Sequence, residues 1–175
     1  MKDFAQRPWP VRAILGPWHL DREEDAYRAL GGVPGVPDFL ERVDRQAIAL
    51  SFVPGRPLAS VRLGGLPERF FEDLDRLLAA IHARGVAHGD LHRRDVLAGD
   101  DGRPYVVDFS TALCAGTAPD PLLALLFRQM CRADLRAAVK VRRRLLGGPQ
   151  EAVPDRPALY RLGGRLRRLL TRRRR

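Results

Sequence analysis

The sequence predicts an α+β fold of two lobes, the first small and strand-bearing, the second mostly helical. Three observations carry that expectation: an alternating strand at 47–52 followed by the linker "PGRP" at 54–57, a long amphipathic helix opening at Pro67, and a polar loop, "HGDLHRRD" at 88–95, closed by two short strands. At 175 residues with 45% apolar composition, the chain can bury a core in one domain or in two lobes sharing an interface.

In chain order, Leu20 to Leu30 reads as a short helix, with Asp21 as its N-cap and Gly31-Gly32 as its stop. "VPGVP" at 33–37 breaks regularity. In the strand, Ile48, Leu50 and Phe52 form the heavier face against Ala47, Ala49 and Ser51, and Asp44-Arg45 suits a hairpin turn before it. Pro67 fits the first turn of the next helix, where its missing N–H has no partner to lose. Phe70, Phe71, Leu74, Leu77, Leu78 and Ile81 then recur at three- and four-residue intervals until Gly85. Two strands, "VLAG" and "PYVVDF", flank the turn "DDGR". Residues 120–172 read as mostly helical, interrupted at "GGPQ" and "VPDRP".

Charge narrows the partners. Thirty-one Lys+Arg against 21 Asp+Glu give a net charge of +10, which favours an anionic partner: nucleotide, phospholipid surface or nucleic acid. Residues 161–175 carry eight arginines and no acid. There Leu162, Leu166, Leu169 and Leu170 share a helical stripe beside Arg161, Arg165, Arg168 and Arg172, a pattern suited to an anionic membrane surface. No aromatic interleaving or recognition motif supports nucleic acid, which ranks lower. Two cysteines without metal spacing fit a reducing compartment, and the start "MKDFAQRPWP" lacks a signal-peptide core. The longest apolar run, "LLALLF" at 122–127, is far short of the roughly 20 residues that span a bilayer. These features predict a cytoplasmic protein, peripheral at most to the inner face of a membrane.

The polar loop holds the chemistry. The hairpin after it folds the chain back, so Asp108 at its far end can return near Asp90, with Asp95 between them. Carboxylates at such range repel unless a cation neutralises them, and a divalent ion with oxygen ligands is the usual reason for the arrangement.

"HGDLHRRDVL" resembles the catalytic loop H-R-D-L-x-x-x-N of protein kinases, and "VVDFS" resembles their D-F-G turn. The form "HGDLH" is most similar to RIO-like, aminoglycoside-kinase-like and lipopolysaccharide (Kdo/heptose) kinase-like members. The resemblance covers most of residues 2–145, including "KDF", "REEDAYRALGGVPGVP", "ALSFVPGRPL", "LLAAIHARGVAHGDLH" and "DLRAAVKVRRRL". It implies a protein-kinase-like two-lobe fold with a truncated N-lobe at 1–53, a hinge at 54–57, a mostly helical C-lobe at 58–160 and a basic tail at 161–175. It further implies ATP and Mg2+ as cofactors. Asp90 takes the catalytic-base position, Asp95 the metal-binding Asn position and Asp108 the metal-binding aspartate of D-F-G. His88 takes a structural hydrogen-bonding position, and His92 the place of a phosphate-contacting Lys.

The same resemblance asks for a lysine on a strand paired with a glutamate on a helix to hold the α- and β-phosphates. Lys2 is the only lysine before the loop, the other being Lys140. Glu23 shares a helical face with Tyr27 and Leu30 and so points inward, whereas Glu24 points elsewhere. Three departures temper the expectation. Nothing before Lys2 supplies a Gly-rich loop, Asp95 stands for the family's Asn, and Ser110 stands for the Gly of D-F-G. The leading expectation is transfer of the γ-phosphoryl of ATP to a hydroxyl acceptor, a protein Ser/Thr or a lipopolysaccharide-core sugar. A pseudokinase that binds nucleotide without turnover stays open, as does a basic membrane or nucleic-acid binder.

Overall fold

The computed structural model describes residues 2–3, 16–45, 47–115 and 120–147. Its first layer is a three-stranded antiparallel sheet in the order β1-β3-β2, from β1 (Lys2–Asp3), β2 (Phe39–Arg42) and β3 (Ala47–Leu50). The hairpin turns at Asp44 as expected, with Val43 and Asp44 N–H both donating to the Ala47 carbonyl. Helix α1 (Gly16–Ala29) packs on β2, β3 and the turn at Phe109–Thr111, with Leu20, Glu23, Ala26 and Tyr27 buried.

Two sequence expectations need correction here. Asp21 is not an N-cap, because the helix already begins at Gly16; its carboxylate instead pairs with Arg42 of β2 at 2.7 Å. Phe52 does not continue the heavy face of the strand. Regular pairing ends at Leu50, where Ser51 N–H turns to the Asp38 carbonyl, and Phe52 is left 87% exposed. Ala47, assigned to the lighter face, is buried alongside Ile48.

The chain then forms β4 (Gly55–Pro57), a 3-10 turn at Leu58–Ser60, and α2 (Glu68–Ala83). Pro67 occupies the N-cap position, one residue ahead of the predicted first turn. The predicted stripe Phe70, Phe71, Leu74, Leu77, Leu78, Ile81 is the buried face, and Gly85 follows the helix end in the left-handed region at φ 73°. Three-stranded pairing of β4 with β6 (Val96–Gly99) and β7 (Pro104–Val106) forms a second sheet, and β5 (Val86–Ala87) pairs with β8 (Leu113–Cys114). Helix α3 (Pro121–Leu146) closes the packing against α2, starting from a genuine cap in which Asp120 accepts from Leu122 N–H at 2.8 Å. One continuous cluster, from Leu20 through Phe109 to Leu145, forms the core beneath these elements. The predicted basic segment at 161–175 lies outside the described residues.

Candidate active site

The loop between β5 and β6 is held from below. Asp134, fully buried on α3, accepts from His88 N–H and Gly89 N–H, both at 2.8 Å, and meets His82 Nε2 at 3.0 Å. A buried carboxylate with three partners has its charge spread over short, directional bonds, so the loop backbone is fixed at its entry. Gly89 is required there. Its φ is 84°, and a side-chain Cβ would overlap Met130 Cε of α3 and crowd the Thr111 carbonyl at 3.1 Å. His88 itself is buried, its Nε2 at 3.1 Å from the Val107 carbonyl and its ring 5.2 Å from Phe109.

Beyond Gly89 the chain emerges. The Asp90 side chain is 59% exposed. His92 folds back, with Nδ1–H donating to the Asp90 carbonyl at 2.5 Å while lying 3.6 Å from Asp90 Oδ1 and 3.7 Å from Asp95 Oδ2. It therefore sits between the two acids. Asp95 is buried, and its Oδ2 accepts from His92 N–H at 2.9 Å. The bond reaches back three residues and is reciprocated by Asp95 N–H donating to the His92 carbonyl at 3.0 Å, and the pair closes the turn that feeds β6.

The hairpin brings the Asp108 segment back to Asp95, where Val107 N–H donates to the Asp95 carbonyl at 2.9 Å. Burial pushes the Asp95 carboxyl up, and the neighbouring Asp108 charge adds to that, while His88, the His92 N–H and the His92 ring pull the other way. Asp108 has φ 67° and ψ 66°, the one non-glycine in the left-handed region among the described residues, a conformation that aspartate tolerates better than most. Two bonds hold it there. Its N–H donates to the Tyr27 hydroxyl at 3.1 Å, and the Ser110 hydroxyl donates to its Oδ1 at 2.7 Å. The Tyr27 ring meets Phe109 edge-on at 5.2 Å, so α1 is coupled to the Asp108 turn by both packing and hydrogen bonding. Burial, and then the Glu23 charge beside it, keep the Tyr27 hydroxyl protonated at any ordinary pH.

Glu23 is fully buried on the same face as Tyr27 and Leu30, as the helical periodicity required, whereas Glu24 turns to Arg42 and Arg28. Lys2 lies on β1 opposite Ile48 of β3, the strand against which α1 packs. The three loop acids do not close into a cage of their own. Among the described residues, no group of three or more His, Cys, Asp or Glu side chains is placed to hold a metal ion. Asp95 and Asp108 stand together, and Asp90 is linked to them through His92. Asp134 escaped the sequence reading. "CRADLRAA" is ordinary helical sequence, and the contacts that give Asp134 its role lie 45 to 52 residues away. A separate groove of about 720 Å³ lies between Pro34, Phe52, Leu77 and Tyr105, and none of the predicted site residues lines it.

Comparison with known proteins adds an independent line. Residues 20–168 match the sequence model of the phosphotransferase enzyme family, APH. No curated protein matches the chain. Among solved structures, the Rio2 kinase from Chaetomium thermophilum is similar at a TM-score of 0.63 and 20% identity, covering 86% of this chain and 46% of that one. The Rio2 kinase–ADP/Mg2+–phosphoaspartate complex from the same organism is similar at a TM-score of 0.59 and 19% identity, covering 85% and 46%. The chain thus spans about half the length of these structures. The likeness shows a protein-kinase-like α+β fold.

Proposed function

This chain belongs to the phosphotransferase enzyme family, within the protein-kinase-like superfamily, and from that premise we propose that it moves the γ-phosphoryl of Mg-ATP to a hydroxyl acceptor. The observation that carries the proposal is the juxtaposition of Asp95 and Asp108 at the end of the loop that presents Asp90. The donor set fits magnesium. It is all oxygen, and the burial and like-charge repulsion acting on Asp95 are both relieved by a cation. Mg2+ characteristically uses one or two carboxylates and completes its shell with waters and substrate phosphates, so no third carboxylate is needed. Asp95 and Asp108 would hold the ion, which when bound neutralises charge on the phosphate oxygens.

The chain's own residues take the remaining roles. Asp90, exposed at the loop's outer end, orients the acceptor hydroxyl and accepts its proton. His92, between two carboxylates, would contact the transferred group. Lys2 on β1 and Glu23 on α1 serve the α- and β-phosphates. Asp134 and His88 keep the loop rigid, which matters because phosphoryl transfer depends on positioning. The acceptor classes are a protein Ser/Thr and a lipopolysaccharide-core sugar. The reaction belongs in the cytoplasm, with the segment 161–175 as a contact to an anionic membrane surface.

One observation favours a second reading, a nucleotide-binding scaffold without turnover. The Ser110 hydroxyl already occupies Asp108 Oδ1, an oxygen that a metal would use. Turnover of γ-labelled ATP by the purified full chain separates the two. The enzyme reading expects transfer that falls about 10²–10⁴-fold in Asp90→Asn while Mg-ATP binding persists, the usual range for a lost general base. Transfer unchanged in Asp90→Asn contradicts the assignment of the base, and binding with no transfer in the wild type selects the scaffold.

A further inference from the structure

Three arginines on α1 and α2 are answered by carboxylates: Arg28 by Glu24, Arg69 by Asp73, and Arg76 by Glu72 and Asp73. Helix α3 follows this pattern only in part, at Arg142, which pairs with Glu68 and Asp75 of α2. Its one acid, Asp134, faces inward and is fully buried, whereas Arg128, Arg132, Arg143 and Arg144 form no ion pair among the described residues. The same helix opens with the strongest apolar run in the chain, "PLLALLF", yet no residue from Pro121 to Ala133 is fully buried. Leu122 is 72% exposed, Leu125 52% and Leu135 41%. Projected on a helix, Leu122, Leu125, Arg132 and Arg143 lie on one outward stripe, opposite the buried Asp134, Ala138, Val141 and Leu145.

We propose that this outer face of α3 is a docking surface for an anionic lipid bilayer, with Leu122 and Leu125 entering the acyl boundary and the arginines resting on the headgroups. The combination selects the partner. Cations with no acidic partner among the described residues would alone suit any polyanion, but large aliphatic side chains beside them gain nothing from a phosphate backbone and gain substantially from a membrane interface. The helix lies along the surface, since no described helix is long and apolar enough to cross a membrane. This contact is distinct from that of the arginine-rich segment at 161–175 and rests on no assumption about catalysis. Because the inner face of α3 holds the His88 and Gly89 backbone, docking sets the 88–95 loop about one helix diameter, roughly 10 Å, from the bilayer.

The test is flotation of the full-length chain with vesicles of phosphatidylcholine alone and with 30% phosphatidylglycerol, a composition of about that order giving a strongly negative surface. Binding is expected only to the anionic vesicles. Arg128→Glu with Arg132→Glu should weaken it by about 25-fold or more, given about fivefold per basic residue at such a surface. Leu122→Ser with Leu125→Ser should weaken it several-fold with every charge kept. All four positions are surface ones, and an unchanged melting temperature verifies that each variant is folded. Three outcomes overturn the proposal: no binding to anionic vesicles, binding indifferent to both α3 variants and lost only when 161–175 is neutralised, or sensitivity to charge but not to the leucines, which is the signature of a generic polyanion site.

Discussion

Asp95 is the residue at which stability and function pull apart. Burial and the Asp108 charge raise its proton affinity in the fold above that of the unfolded chain. The unfolded chain therefore loses that proton first as pH rises. The resulting penalty on the fold is absent below an unfolded aspartate pKa of about 4 and complete above the raised folded value. Asp95→Asn keeps an oxygen for the His92 N–H and removes the charge. It should raise the melting temperature by a few degrees at neutral pH in metal-free buffer, with the gain vanishing on acidification; a melting series from pH 3 to 8 checks this. A gain that persists at pH 3 would assign the effect to packing instead. Tyr27→Phe is the complementary case. The ring stays against Phe109, but Asp108 N–H loses its acceptor, so stability should fall by about 1 kcal/mol, or about 2–4 °C. Mg-ATP affinity should fall by more than that loss accounts for, since the missing bond orients Asp108, the residue proposed to hold the metal; equal affinity in a binding titration contradicts the coupling.

Among the elements, α3 acts as the clamp of the loop. Asp134→Ala leaves the His88 and Gly89 N–H groups without their acceptor, at about 1–3 kcal/mol each, and a loss on the order of 2–6 kcal/mol should appear in denaturant melts. Asp134→Asn, which keeps one acceptor oxygen, should lose roughly half as much. What could be read from sequence divides along this line of local and long-range causes. Helix α2 was legible because six apolar residues at helical spacing state their own period, and the 96–106 hairpin because a Gly102 turn separates two short apolar runs. The hairpin's geometry leads to the expectation that Asp90, Asp95 and Asp108 converge; the Asp108 charge bears on Asp95, but the three form no metal-holding group among the described residues. Asp134 was not legible, since nothing in its own turn of helix reveals partners on another segment. Phe52 and Asp21 were misread for a related reason: where a strand ends or a helix begins was decided by Ser51 reaching Asp38 and by residues upstream of Leu20, not by the local alternation.

Taken whole, the molecule hangs one acidic turn between two supports. Helix α1 reaches it through Tyr27, and α3 reaches the loop before it through Asp134. The central claim is that this turn binds a nucleotide through a divalent ion. The direct measurement is thermal unfolding of the wild-type chain and of Asp108→Asn, each with and without Mg-ATP. Ligand at about a hundred times its dissociation constant should stabilise the wild type by about 2.7 kcal/mol, or about 5–11 °C for a chain of this size, and leave Asp108→Asn within about a degree of its ligand-free value. An unshifted wild type, or an equal shift in Asp108→Asn, would contradict the account.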